Sequence, residues 1–101
     1  MHEPQIEFEW DEAKAASNAQ KHDISFELAS TVFNDPRLLT FADLARSVAE
    51  ERWFSVGLAA SGAILAVVYL WSETGPGFTT IRIISARKAT HNEIHQYEGN
   101  L

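Results

Sequence analysis

Apolar and polar positions alternate along several stretches of this chain in the manner of half-buried β-strands. Ile6 to Trp10 alternates apolar with acidic residues. Glu50 to Leu58 places Phe54, Val56 and Leu58 on one side of a strand and Trp53, Ser55 and Gly57 on the other. Ala63 to Trp71 is apolar on both faces, which predicts a strand at the centre of a sheet. Phe78 to Ala86, rich in β-branched residues, predicts the last strand, and Leu38 to Phe41 is compatible with a short additional one.

Helix signals occupy the N-terminal third of the chain. Asp11 is a good N-cap for an Ala-rich helix over Glu12 to Lys21, and Asp23 is a residue type that tolerates a left-handed C-cap. Ser25 is placed to cap a second helix, Phe26 to Phe33, whose apolar residues form a stripe at helical spacing.

The remaining segments read as turns and one more helix. Ala42 to Ala49 predicts a loop, and Ala60 to Gly62 and Gly75 to Gly77 predict turns between strands. Thr90 and Glu93 form a capping box that starts a helix ending near Glu98. The order of elements predicts one α+β domain over residues 1–101: an antiparallel meander, two N-terminal helices and a C-terminal helix, with the helices packed on one face.

Composition narrows the class of protein. The chain has 101 residues and no cysteine, which excludes disulfides and thiolate chemistry and fits a reducing compartment. No basic and apolar leader opens the sequence, and the longest apolar run is too short to cross a bilayer. We therefore expect a cytoplasmic protein without a membrane partner.

The net charge of −6 argues against a general nucleic-acid binder. Residues 1–51 contain eleven acidic and four basic residues, whereas residues 52–101 contain three and four. Any anion site must therefore be local. The acidic half also suits a basic protein partner, although a solvated surface explains it equally well.

The segment from Phe78 to Thr90 carries the most distinctive chemistry. It delivers Arg82, Ser85, Arg87 and Lys88 along and just after the last predicted strand. Guanidinium groups are planar and permanently charged, and they can donate two hydrogen bonds to one phosphate. The segment suggests action on a phosphodiester. The alternative is an edge strand that keeps its arginines in water.

Several blocks of residues, in order between Ile6 and Glu98, form a recognisable set: Phe8-Glu-Trp-Asp-Glu-Ala-Lys14, Lys21-His22, Ser25-Phe26-Glu27, Val32-Phe33-Asn-Asp-Pro36, Glu51-Arg52 and Arg82-Ile-Ile-Ser-Ala-Arg-Lys-Ala-Thr90. Together they closely resemble the BrnT family of toxins from type II toxin–antitoxin systems. The resemblance implies a RelE-like fold and an endoribonuclease that needs no metal or other cofactor and arrests translation and growth.

The same resemblance implies a protein partner. This would be a BrnA-like antitoxin with a ribbon-helix-helix DNA-binding part, which dimerises, forms a heterotetramer with the toxin and represses the shared operon. The toxin would contact RNA as its substrate and DNA only through the antitoxin.

RNA cleavage without a metal requires a base for the 2′-hydroxyl, cations for the phosphorane and an acid for the leaving 5′-oxygen. Arg82 and Arg87 are the candidates for the phosphate clamp, with Arg52 beside Glu51 as further candidates. Adjacent strand residues point to opposite faces, so Glu51 and Arg52 are not expected to face the substrate together. Arg52 could instead form a structural salt bridge.

His22 is the natural titrating group, and its place at a helix end would favour an acid role, or a capping role alone. Lys21, Lys88 and Ser85 are candidate RNA contacts, although a solvated lysine is the simpler interpretation. Tyr69 could stack on a base, but core packing explains it as well.

His91 and His95 lie four apart on one helical face and could chelate a transition metal, which would favour a small metal-dependent hydrolase. No third ligand is evident, and we predict no metal site. In the resembled family this helix is strongly basic, whereas residues 91–95 here read His-Asn-Glu-Ile-His. That departure keeps a second function open: a catalytically weak or inactive homologue that acts as an antitoxin-binding module and co-repressor.

Overall fold

The structure, a computed structural model, describes residues 5–42 and 51–99. Within these residues one five-stranded sheet is combined with three α-helices and a short 3₁₀ helix. The strands are β1 (Gln5–Glu9), β2 (Leu39–Ala42), β3 (Arg52–Leu58), β4 (Ile64–Gly75) and β5 (Phe78–Lys88). The helices are α1 (Glu12–His22), α2 (Phe26–Ser30), the 3₁₀ helix (Thr31–Asn34) and α3 (His91–Gly99). The loop predicted from Ala42 to Ala49 lies almost wholly outside the described residues.

The strand order is β1-β5-β4-β3-β2, and β4 is central as its apolar sequence predicts. β2 to β5 form the predicted antiparallel meander, but β1 pairs with β5 in parallel, from Gln5 opposite Phe78 to Glu9 opposite Arg82. The prediction of an all-antiparallel sheet is therefore wrong at β1. The short turns after β3 and β4 force the next strand to run antiparallel, whereas residues 10–77 separate β1 from β5 and leave the direction of β1 free.

The two faces of the sheet pack against different helices. The helix face, defined by Leu65, Val67 and Tyr69 of β4, forms the main core with α2 and with the partly buried Ala15 of α1. The arginine face, defined by Ala66, Val68 and Leu70 of β4, carries a smaller core in which α3 contributes Tyr97. The prediction that all helices pack on one face is therefore wrong for α3. After β5 the chain is bound to β4 by a hydrogen bond from Ala89 N to Ile64 O at 3.0 Å, and α3 then packs against β3.

The predicted caps are confirmed. Asp11 Oδ1 accepts a hydrogen bond from Lys14 N at 3.0 Å, and Ser25 Oγ accepts one from Leu28 N at 3.0 Å. Asp23 ends α1 in the left-handed conformation, with φ of 57°. The capping box at α3 is also present, because Thr90 N donates to Glu93 Oε1 at 2.8 Å.

The second helix is not continuous over Phe26 to Phe33 as predicted. α2 ends at Ser30, and the chain tightens into the 3₁₀ helix. Ser30 Oγ and Thr31 Oγ1 donate to carbonyls three residues earlier, at 2.7 and 2.6 Å. Hydroxyl groups that bond to nearby carbonyls compete with the regular α-helical ladder, which favours this tighter turn.

Asn18 closes the edge of β5 that β1 does not reach. β1 pairs with β5 only as far as Arg82, so the outer backbone groups of Ala86 need another partner. The buried Asn18 carboxamide donates to Ala86 O at 2.8 Å and to Ile24 O at 3.0 Å, and Ala86 N donates to Asn18 Oδ1 at 3.1 Å. One side chain therefore fixes α1, the α1–α2 connection and β5 together.

Asn18→Ala should lower the free energy of unfolding by about 2–4 kcal/mol, because it leaves buried backbone groups without partners. Urea denaturation followed by circular dichroism measures this change. Gln20→Ala, an exposed position on the same helix, should change stability by less than about 0.5 kcal/mol. Equal effects of the two substitutions would contradict a clamping role for Asn18.

Asp35 connects the 3₁₀ helix, β3 and α3. Its carboxylate accepts hydrogen bonds from Leu58 N at 2.8 Å, Arg37 N at 2.9 Å and the Tyr97 hydroxyl at 2.6 Å. Burial alone would raise the pKa of the Asp35 carboxyl, but these three donors outweigh it and hold the pKa below its usual value. The Tyr97 pKa is raised, first because its hydroxyl donates to this carboxylate.

Because the folded-state pKa of Asp35 is lowered, its stabilising effect is present above the unfolded pKa and is lost as pH falls through the folded pKa. Asp35→Asn should therefore lower the free energy of unfolding by about 1–2 kcal/mol at pH 7. The substitution replaces one carboxylate oxygen by an NH2 group, which cannot accept a hydrogen bond from the backbone N–H that faces it. The gap from wild type should shrink below about pH 4.

Urea denaturation at a series of pH values measures this gap. Asp23→Asn is the matched control, because Asp23 is exposed and Asn tolerates the left-handed conformation. A wild-type advantage over Asp35→Asn that stays constant down to pH 2 would contradict the assignment.

Candidate functional site

Four strands place Glu9, Arg82, Leu70 and Arg52 side by side in one row. Glu9 pairs with Arg82, Arg82 with Leu70, and Leu70 with Arg52. Residues directly opposite each other in a sheet share a face, so all four belong to the arginine face. Neighbouring strands lie about 4.8 Å apart, which places the Arg82 and Arg52 backbones roughly 10 Å apart with Leu70 between them.

A β-bulge brings Arg87 to this same face. Arg82 and Arg87 are five residues apart, a spacing that would point them to opposite faces of a regular strand. The register between β4 and β5 shifts by one residue, because Val68 pairs with Ser85 while Tyr69 pairs with Ile83. The extra residue, Ile84, reverses the alternation, so that Ser85 and Arg87 join Arg82.

Arg82 borders a cleft of about 300 Å³. The residues lining the cleft are Glu9, Glu51, Leu70, Trp71, Ser72 and Arg82. The Arg82 side chain is 39% exposed, and its Nη1 lies 3.7 Å from Glu9 Oε1. An ion pair this long between exposed groups is weak, so the guanidinium remains able to bind an anion.

Arg87 is held far more tightly. Its Nη1 and Nη2 donate to the two carboxylate oxygens of Glu93 at 2.7 and 2.9 Å, and its guanidinium lies 5.9 Å from the centre of the Phe54 ring. The bond to Glu93 raises the pKa of Arg87, and the same bond lowers the pKa of the Glu93 carboxyl against the opposing effect of burial. Arg87 is therefore fixed in one orientation.

Arg52 and Glu51 enter from the start of β3. The register assigns Arg52 to the arginine face, where its side chain is partly buried. Glu51 precedes the strand and lies at the rim of the sheet, because it lines the Arg82 cleft and also an apolar pocket of about 280 Å³ on the helix face. Glu51 and Arg82 thus share a cleft, although Glu51 and Arg52 are sequence neighbours.

The other candidates lie elsewhere. Lys21 and His22 are in the last turn of α1, which packs through Ala15 against the helix-face core. Lys88 pairs with Leu65 and so belongs to the helix face, where it is exposed. The structure does not bring these three together with Arg82.

Tyr69 is 2% exposed on the helix face, packed edge-on against Phe33 with ring centres 4.8 Å apart. Its hydroxyl is 2.7 Å from Ser55 Oγ, and burial raises the pKa of the phenol. Of the two interpretations of Tyr69, core packing matches this position, and base stacking has no exposed ring surface to use.

Sequence reasoning missed two carboxylates, Glu9 and Glu93, that contact the key arginines. Glu9 belongs to an alternating strand whose acidic residues look merely solvated, and its partner is set by the unforeseen parallel pairing of β1. Glu93 carried a recognisable signal as the capping-box glutamate, but the bulge in β5 decides that Arg87 reaches it.

Among the described residues, no group of three or more histidine or acidic side chains is arranged to hold a metal ion. His91 and His95 are both exposed on α3. None of the helices in the described ranges is long and apolar enough to span a membrane.

Comparison with known proteins gives two findings. A family model described as the ribonuclease toxin BrnT of type II toxin–antitoxin systems matches residues 10–93. The structure is also similar to a 1.1 Å crystal structure of the Brucella abortus ribonuclease toxin BrnT, with 21% identity and a TM-score of 0.60. That match covers 86% of this chain and 100% of the other.

A comparison with curated proteins finds no significant match. The structural likeness, at this low identity, concerns the fold. The family model, in contrast, matches most of the sequence, including both the β1–α1 junction and the segment with Arg82 and Arg87. The chain therefore belongs to the BrnT family, the ribonuclease toxins of type II toxin–antitoxin systems.

Proposed function

We propose that this chain is a metal-independent endoribonuclease and that its arginine face is the catalytic surface. The observation that carries the proposal is the convergence of three arginines on one face, through the row that joins Arg82 to Arg52 and the bulge that adds Arg87. Their charge is local, as an anion site in a chain of net charge −6 must be.

The arrangement supports a specific division of roles. Arg82 and Arg52, on either side of Leu70, would bind the scissile phosphate and stabilise the negative charge of the phosphorane. Glu51, in the same cleft as Arg82, is the carboxylate we assign as the base for the 2′-hydroxyl. Ser85 shares the face and would contact the sugar-phosphate backbone.

Three residues with candidate roles in RNA cleavage or binding lie away from the Arg82 cleft. His22 and Lys21 lie with α1 on the far side of the sheet, and Lys88 points to the helix face. We therefore place the reaction in the Arg82 cleft and assign these three residues no catalytic role.

The partner we propose is a BrnA-like antitoxin with a ribbon-helix-helix DNA-binding part, joined to the toxin in a heterotetramer that contacts DNA only through the antitoxin. β1 supports a docking role, because it exposes Ile6 and Phe8 on one side and Glu7 and Glu9 on the other. Basic residues of the partner would speed encounter, and the apolar pair would supply more of the affinity.

Docking at β1 would place the antitoxin beside Glu9 and hence beside the Arg82 cleft, which would deny access to RNA. We further propose that residues 1–101 act as a single RelE-like toxin domain in the cytoplasm, where RNA cleavage arrests translation and growth.

One observation favours a second candidate, a catalytically inactive antitoxin-binding module. Glu93 forms a bidentate ion pair with Arg87, and Glu9 Oε1 lies 3.7 Å from Arg82 Nη1, so both arginines have an acidic neighbour. In that case the chain would keep its antitoxin and its part in repression while cutting no RNA.

Arg82→Ala should reduce RNA cleavage by about 100-fold or more, because it removes a cation that acts on the transition state. Gel analysis of a labelled RNA with the purified protein measures cleavage, and induction in bacteria without antitoxin measures growth arrest. Combined Arg82→Ala and Arg87→Ala should abolish both effects while antitoxin binding persists.

The matched control is Lys14→Ala, which removes one positive charge from an exposed position on α1. Its cleavage rate should stay within about twofold of wild type, since surface substitutions away from a site have small effects. Wild-type protein that binds antitoxin but neither cuts RNA nor arrests growth would establish the second candidate instead.

A further inference from the structure

The guanidinium of Arg87 is only partly used by its contacts within the protein. An arginine side chain has five N–H donors fixed in one plane. Nη1 and Nη2 donate to the two oxygens of the Glu93 carboxylate at 2.7 and 2.9 Å, and Nη1 also donates to Lys88 O at 3.3 Å. Among the residues that the structure describes, Nε donates to no group and Nη2 donates only to Glu93, so one donor on each of these nitrogens remains available.

These two remaining donors lie on the same edge of the guanidinium. Because Glu93 binds both terminal nitrogens, it occupies the end of the fork and leaves the edge formed by Nε and Nη2 open. The Nε and Nη2 hydrogens are therefore parallel, which is the bidentate geometry that suits two oxygens of a phosphate. The side chain is 40% exposed, so this edge is within reach of a ligand.

Glu93 is itself held in place. It is the N3 residue of the α3 capping box, and its Oε1 accepts from Thr90 N at 2.8 Å while its backbone N donates to Thr90 Oγ1 at 3.2 Å. Its side chain is only 16% exposed, and Arg87 lies over Phe54 on the other side. A flexible arginine is thereby held rigid between a helix start and an aromatic ring.

We infer that Glu93 is a positioning residue for RNA cleavage: it fixes Arg87 so that the Nε–Nη2 edge binds a phosphate of the RNA strand adjacent to the one held by Arg82. This inference rests on the proposed ribonuclease function. Arg87 lies opposite Ala66 of β4, and Arg82 lies opposite Leu70. Because Ala66 and Leu70 are four residues apart on β4, the backbones of the two arginines are roughly 13 Å apart along the strand. The long side chains and Ser85 span this interval.

A double-mutant cycle tests the inference, using kcat/KM for a labelled RNA and the Kd for a 2′-O-methyl RNA that cannot be cleaved. Glu93→Gln keeps the capping box, since Gln also serves at N3, but removes the charge that orients Arg87. It should lower kcat/KM by about 10- to 100-fold, because a misplaced binding group loses catalytic geometry, and weaken binding of the uncleavable RNA.

The cycle separates positioning from a general effect on the fold. In an Arg87→Ala background, Glu93→Gln should change neither quantity by more than about twofold, because its role is exercised through Arg87. Thr90→Ala is the matched control: it removes the hydroxyl that caps α3 and leaves the carboxylate on Arg87. It should lower the free energy of unfolding but leave kcat/KM close to wild type.

Faster cleavage by Glu93→Gln would overturn the inference while the ribonuclease function stands, because it would mean that Glu93 sequesters Arg87. Additive losses in the cycle, or an equal loss in Thr90→Ala, would overturn it in the same way. Wild-type protein that neither cleaves RNA nor binds the uncleavable RNA would overturn the proposed function and the inference together. Wild-type protein that binds the uncleavable RNA no better than Arg87→Ala overturns the inference on affinity alone.

Discussion

The single extra residue in β5 is the constraint on which the rest of this molecule depends. β5 has to supply Ile81, Ile83 and Ala86 to the core on the helix face and Arg82, Ser85 and Arg87 to the other side. A strand with strict alternation cannot satisfy both sets. Ile84, as the unpaired residue of a bulge, shifts the phase midway along the strand, so that both the core and the arginine face are complete.

Most of the elements could be predicted because each depends on local chemistry. Asp11, Ser25 and Thr90 mark helix starts, and Gly62 and Gly77 mark turns that need positive φ. The central place of β4 also follows from its own composition. The family was likewise indicated by motifs alone, and the family match over residues 10–93 confirms it.

The errors concern relations between distant segments. Nothing in residues 5–9 shows that they will pair in parallel with residues 78–82, and that pairing decides that Glu9 is the neighbour of Arg82. The bulge is equally invisible, because Ile84 differs in no way from the isoleucine before it. Arg82 and Arg87 were selected for their chemistry, but that they share a face, and that Lys88 does not, follows only from register. The separation of His22 from them follows from the packing of α1 on the helix face.

Electrostatics and packing are joined at Arg87. The Glu93 carboxylate both caps the start of α3 and binds Arg87. Its side-chain conformational entropy is therefore lost once for two interactions. Folding thus sets the orientation of this guanidinium before any ligand arrives. Arg82, with its long contact to Glu9, keeps more freedom. The two arginines differ in rigidity rather than in chemical type, and that difference has its origin in α3.

The Asn18 carboxamide has a consequence for how the sheet can grow. It binds both outer backbone groups of Ala86, the N–H and the C=O, and so covers this part of the edge of β5, where a further strand could otherwise pair. Within residues 5–42 and 51–99, the outer edges of the sheet are those of β1 and β2. Addition of a foreign strand to an exposed edge is a common mode of protein recognition. Beside Ala86, one residue before Arg87, the Asn18 side chain already uses the backbone groups that such a strand would need.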